Sequence, residues 1–229
     1  MTPPSHLPRP DDRTVYRDNR VDRLFIWLFS RKMARVVGQT SLRPGYEGFV
    51  DLSEQIMADR PPQEQQALVA MVLKSLVPRP VLALIRHLFS PGQRVCELNA
   101  WFATQLFEWL VGPCEVREVE VPDSLGQLRR QRSGVHIKKC RYLEASGCVA
   151  MCVNLCKVPT QEFFTKDFGI PLTLTPNFED LSCDMVFGQP PPPLVSEAVY
   201  QQPCLTQRCS TAASSLRPCP GVRLDQPNQ

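Results

Sequence analysis

The segment Arg94-Val-Cys-Glu-Leu-Asn-Ala-Trp101-Phe-Ala-Thr104-Gln-Leu-Phe-Glu108-Trp-Leu-Val-Gly112-Pro113-Cys-Glu115-Val-Arg-Glu-Val-Glu-Val121 changes its hydrophobic period midway. Residues 94–111 carry apolar side chains at helical spacing and stop at Gly112-Pro113, a helix-ending pair. Glu115–Val121 alternates, as a half-buried strand does. Gly134-Val-His-Ile-Lys-Lys139 reads as a second strand, with a polar loop between the two. The break divides a helical half from a mixed half.

Upstream of the break, the spacing predicts a helix over 19–37, from Asn19 to a Gly38 C-cap, and others at about 47–59, 63–77 and 80–89. In the first of these Val21, Leu24, Phe25, Leu28, Phe29, Met33 and Val36 share a wide apolar face opposite Arg20, Arg23, Arg31 and Arg35. That pattern suits a core helix, and it also suits a helix lying on a membrane surface. On 94–111, Glu97, Trp101, Thr104 and Glu108 fall on one stripe, either the solvated edge of a core helix or the wall of a substrate pocket. Arg129, Arg130, Arg132, Lys138, Lys139 and Arg141 cluster around the second strand, a solvated hairpin or a basic docking patch.

The expected fold class is therefore α+β and mainly helical: a helical part, 16–112, packed on a small Cys-rich α+β module, 113–209. Four of the 23 Pro lie in residues 1–10 and eight in 190–229, so 1–15 and 210–229 are expected to be disordered tails. Lys+Arg 26 against Asp+Glu 23 is too balanced for a protein that holds nucleic acid by charge. An apolar content of 43% excludes a wholly disordered chain. The opening Met1-Thr-Pro-Pro-Ser-His-Leu-Pro-Arg-Pro10 has no apolar run of signal-peptide length and little transit-peptide character, so a reducing, cytoplasmic setting is expected.

In such a setting ten cysteines call for an explanation. Seven lie at 140–209: Cys140, Cys148, Cys152, Cys156, Cys183, Cys204 and Cys209. On a straight helix Cys148, Cys152 and Cys156 share a face, drifting about 40° per step, with the outer pair about 12 Å apart. One cluster using all three would need the helix broken, or one thiolate replaced by Cys140 or Cys183. Small buried core residues are the other reading of such cysteines. Of the three His, His6 sits in a Pro-rich tail and His87 and His136 have no partner ligands in view, so thiolates dominate the donor inventory. That inventory favours zinc or an iron–sulfur cluster, and the lack of paired C-x2-C knuckles tilts it to iron–sulfur, of the 4Fe–4S type. No phosphate-loop, dinucleotide, nucleophile-elbow or H-E-x-x-H motif is present.

Residues 140–164, Cys140-Arg-Tyr-Leu-Glu-Ala-Ser-Gly-Cys148-Val-Ala-Met-Cys152-Val-Asn-Leu-Cys156-Lys-Val-Pro-Thr-Gln-Glu-Phe-Phe164, closely resemble the carboxy-terminal domain of the Dwarf-27 family. So do Phe168-Gly-Ile-Pro-Leu172, Pro176-Asn-Phe-Glu-Asp-Leu-Ser-Cys183 and Phe187-Gly-Gln-Pro-Pro-Pro192. Tyr16-Arg-Asp-Asn-Arg-Val-Asp-Arg23, Tyr46-Glu-Gly48, Asn99-Ala-Trp101 and Gln202-Pro-Cys204 extend the likeness to about 16–209. The family comprises iron-containing β-carotene isomerases of plant strigolactone biosynthesis, with relatives in algae and photosynthetic bacteria. The resemblance implies a carotenoid cis/trans isomerase taking all-trans-β-carotene to the 9-cis form with iron. It implies a photosynthetic bacterial cytoplasm in contact with a membrane, or a plastid in a eukaryote, and a ferredoxin-like reductant as a partner. A non-catalytic iron–sulfur or zinc protein, acting as electron carrier or interaction module, is the alternative the same cysteines allow.

Overall fold

The computed structural model describes residues 14–88, 92–123, 126–193, 196–205 and 219–222. The helical half contains α1 (Arg20–Val37), α2 (Gly45–Met57), α3 (Pro62–Leu76), α4 (Arg79–Leu88), α5 (Gln93–Leu106) and the short α6 (Glu108–Val111). Asn19 starts α1 with a reciprocal cap: its side chain accepts from the Val21 and Asp22 amides while Asp22 accepts from the Asn19 amide. Gly38 ends it at φ 79°, a left-handed conformation that costs glycine little.

The mixed half carries β1 (Cys114–Pro122) and β2 (Leu128–Ile137), then α7 (Arg141–Ser146). A long helical rod follows, made of α8 (Val149–Met151), a π-helical stretch (Cys152–Lys157), α9 (Val158–Glu162) and a second π-helical stretch (Phe163–Phe168). The chain finishes with β3 (Leu172–Pro176), β4 (Cys183–Phe187), and single 3-10 turns at Ala198–Gln201 and Pro220–Val222. The four strands make one antiparallel sheet in the order β1-β2-β4-β3. A mainly helical α+β fold is what the sequence predicts. α5 packs on the sheet through β1, β2 and β4, and α3 packs on the rod.

The rod runs on through Pro159. Proline lacks the amide that would bond the Leu155 carbonyl. The backbone widens just before it, so that the Val158 amide donates to Val153 five residues back. The two halves share one core: Ile26, Phe49, Ile56 and Trp109 from the helices join Val135, Leu143, Val153, Leu172 and Phe187.

Both ends of the expected tails differ from the pattern. Thr14, on the inner edge of the first tail, donates from its amide and hydroxyl to Glu144. Residues 219–222, inside the second, are packed down, with Cys219 and Val222 buried. Four residues with two apolar side chains give no periodic signal, so only packing reveals them. The rest of both tails, 1–13, 210–218 and 223–229, lies outside the described residues, as do residues 206–209 of the module, Cys209 among them.

Candidate functional site

The rod presents Cys152 and Cys156 on one side. A wider turn holds more residues, so a four-residue step comes closer to one full turn than on an α-helix. Cys140 immediately precedes α7, and its amide donates to Leu181 O at 2.7 Å. Cys183 opens β4, opposite Ile137 of β2 and Pro176 of β3. These three backbone links bring Cys140 and Cys183, 43 positions apart in the chain, beside Cys152 and Cys156 of the rod.

Cys140, Cys152, Cys156 and Cys183 all line one apolar cavity of about 510 Å³. Its other walls are aromatic and aliphatic: Phe25 and Phe29 of α1, Phe102 and Leu106 of α5, Trp109 of α6, and Phe163, Phe164 and Phe168 at the end of the rod. Phe29 and Trp109 meet at 4.9 Å between centroids with their rings tilted by 56°, and Phe164 and Phe168 stack at 5.1 Å. Phe102 and Leu106 line the cavity yet are 44% and 42% exposed, so it reaches the surface at α5.

Burial pushes all four thiols up. Cys156 rises to about 12 and Cys152 and Cys183 go well above their usual range, through burial first and then through the neighbouring cysteines. Burial also raises Cys140, opposed by the Leu143 and Tyr142 amides. Without a metal these groups are neutral thiols at physiological pH. Lys157, only 2% exposed, lines the same cavity and works the other way, lowering Cys152, Cys156 and Cys183. Its ammonium bonds Gln161 Oε1 at 2.9 Å and Leu174 O at 2.5 Å, and pairs with Glu197 Oε2 at 2.6 Å. The sequence reading missed Lys157; its only signal is a charge set inside Leu155-Cys156-Lys157-Val158-Pro159.

The other expected site residues are placed elsewhere. Cys148 caps α8 and does not line the cavity, and Cys204 lies against Cys219 with sulfurs 3.2 Å apart. Trp101 is 52% exposed, Thr104 donates to Trp101 O, and Glu108 is exposed; none of the three lines the cavity. α5 lays Cys96, Ala100, Ala103 and Thr104 inward, so the polar stripe is split: Trp101 and Glu108 are exposed, and Glu97 at its head accepts from the Arg132 amide. The pocket wall is the neighbouring apolar stripe: Asn99, Phe102, Ala103 and Leu106. His136 forms a 2.7 Å cross-strand pair with Asp184, and His87 is exposed.

The donor set has the chemistry of a thiolate-held iron–sulfur site: four cysteines, all on one water-poor cavity. It is not a ready-made cage for a single ion, since among the described residues no three His, Cys, Asp or Glu side chains converge on one point. A cluster spreads its ligands around several irons and sulfides, and four thiols on one cavity wall are the donors it would need.

The fold and this wall define a mainly helical α+β protein with an apolar ligand cavity lined on one side by thiols. Residues 109–196 match the family described as Beta-carotene isomerase D27-like, C-terminal. The chain is 39% identical over 190 residues to Beta-carotene isomerase D27, chloroplastic, of Medicago truncatula, covering 83% of this chain and 73% of that protein. It is 38% identical over 168 residues to the protein of the same name from Arabidopsis thaliana, covering 73% and 62%. The chain belongs to this family, whose named members are isomerases. No solved structure matches it.

Proposed function

We propose that the protein is a carotenoid cis/trans isomerase that equilibrates all-trans- and 9-cis-β-carotene. The observation that carries the reading is the set of four cysteines in the wall of a cavity otherwise lined by aromatic and aliphatic side chains. An electron carrier has use for the thiols but none for 510 Å³ of apolar space. The names of the two relatives support the substrate class, and their chloroplast location supports a plastid-type setting.

In this reading Cys140, Cys152, Cys156 and Cys183 hold an iron–sulfur centre. When bound, such a centre supplies reversible one-electron or Lewis-acid chemistry, which lowers the bond order of a polyene double bond and lets it rotate. Phe164, Phe168 and Trp109 pack the polyene and exclude water, so charge developing along the chain is not quenched by solvent. Lys157 sets a positive charge beside the thiolates and lowers the cost of deprotonating them. Isomerisation conserves atoms and oxidation state, so a ferredoxin-like reductant serves only to set the starting redox state.

A carotene must be collected from a bilayer or a carrier, and the opening at α5 beside the exposed apolar side chains of α1 favours a bilayer. Leu24, one turn before the cavity-lining Leu28, and Trp27, next to it, are exposed on α1, with Arg31 over the Trp27 ring at 5.2 Å. Arg20, Arg23, Arg31 and Arg35 then meet anionic headgroups. The hairpin contributes less than its charge count implies, because Arg130, Lys138, Lys139 and Arg141 are already engaged in ion pairs. Among the described residues no single helix is long and apolar enough to cross a membrane.

The test is anaerobic purification with iron, sulfide and zinc analysis, then incubation with all-trans-β-carotene and chromatography of the isomers. The expected result is bound iron and a shifted isomer ratio without oxygen consumption, both lost in Cys152→Ser. Iron-replete protein that shifts no carotenoid, with or without a reductant, would overturn the reading.

A further inference from the structure

We infer that Cys204 and Cys219 form a reversible disulfide that fastens the end of the chain onto the cysteine-bearing rod. Their sulfurs are 3.2 Å apart, against about 2.05 Å for a bond, so closure needs roughly an ångström of side-chain movement. The backbone is already held for it: the Cys219 amide donates to Gln202 O at 2.8 Å, two residues before Cys204. Neither sulfur lines the cavity, so the pair is outside the site described above. It also falls outside residues 109–196, the part that matches the family's C-terminal domain.

What the bridge would join gives it a consequence. Residues 196–205 carry Glu197, the partner of Lys157, together with the core residues Val199 and Tyr200. Residues 219–222 lie on the start of the rod, where Gly221 O accepts from Asn154 Nδ2 at 2.7 Å and a Cβ on Gly221 would meet Ala150 Cβ at 2.6 Å. The two segments thus grip the rod near Ala150–Asn154 and at Lys157, bracketing Cys152 and Cys156. A disulfide makes one closed strap of them and keeps Glu197 on the buried ammonium.

The chemistry is thiol–disulfide exchange with a low-molecular-weight disulfide. Cys204 is half-buried and Cys219 is 2% exposed, so Cys204 is the first to attack the reagent. Its thiolate displaces one thiol from the reagent and forms a mixed disulfide. Cys219 then displaces the second thiol. Two protein thiols lose two electrons and two protons, and the reagent leaves as two thiols.

The full chain is incubated anaerobically in glutathione buffers of increasing disulfide content, quenched with an alkylating agent, digested and mapped by mass spectrometry. We expect Cys204 and Cys219 to leave the alkylated pool together, as one linked peptide that dithiothreitol reverses. The oxidised protein should melt about 5–10 °C higher than the reduced one, as a bridge closing a loop of this length does. Cys204→Ser and Cys219→Ser should each abolish that difference. Full alkylation of both at the most oxidising ratio would overturn the inference, and so would a dominant bridge from either one to Cys209. Mapping the unmodified chain needs no variant and no isomerase activity, so its outcome is independent of the proposed reaction.

Discussion

Lys157→Met offers the sharpest test of how the cavity wall is held. The methionine keeps most of the aliphatic stem and its volume, and removes only the ammonium. The Lys157 and Glu197 side chains are 3% and 6% exposed, and Glu197 Oε1 has no partner among the described residues, so the carboxylate depends on Lys157. Removing one member of a buried pair leaves an uncompensated charge and costs about 3–5 kcal/mol. With a urea m-value of about 3 kcal/mol/M, the midpoint should fall by about 1–1.7 M. Replacing both members, Lys157→Met with Glu197→Leu, removes the stranded charge and should recover part of the loss. Leu174 O still loses a donor, so a deficit of about 1–3 kcal/mol should persist. Equilibrium unfolding followed by tryptophan fluorescence measures all three proteins against the parent. A single variant within 1 kcal/mol of the parent, or a double variant no better than the single, would refute the argument.

Three further expectations follow from particular contacts. Metal-free protein should lose stability in alkali, because burial raises Cys96 and Cys114 to about 11 and Cys156 to about 12. The unfolded thiols ionise near pH 9 while the folded ones stay protonated, so stability is complete below pH 9 and falls as pH rises through 11–12; denaturation midpoints flat across that window would contradict it. Asn154→Ala strands the side chains and carbonyl that Asn154 joins, Gln65 Oε1 at 2.8 Å and Gly221 O at 2.7 Å. It should cost about 1–3 kcal/mol and expose residues 219–222 to proteolysis, read by limited digestion. Ala103→Phe places a ring in the cavity from its α5 wall and should weaken carotenoid binding at least tenfold by tryptophan quenching while the chain stays folded; unchanged binding would move the ligand elsewhere.

The local sequence determined where the helices of the first half lie and several of their ends, because capping and apolar spacing act within a few residues: Asn19 and Gly38 bound α1, and Gly112-Pro113 marks the passage into β1. The cysteine spacing and the motifs of 140–192 pointed to the family that the relatives establish. The short strands β3 and β4 escaped the pattern, since five residues bounded by loops carry little period. On 94–111 the spacing identified the polar stripe but not whether it faces water or the pocket, because that depends on how the helix sits on the sheet. Only the tertiary structure brought Cys140, Cys152, Cys156 and Cys183 to the wall of one cavity, through the Cys140–Leu181 hydrogen bond and the β2–β4 register. It alone buried Lys157 against Glu197, forty residues away, and set Cys219 beside Cys204. Such pairs are long-range contacts, and a one-dimensional pattern holds no term for them.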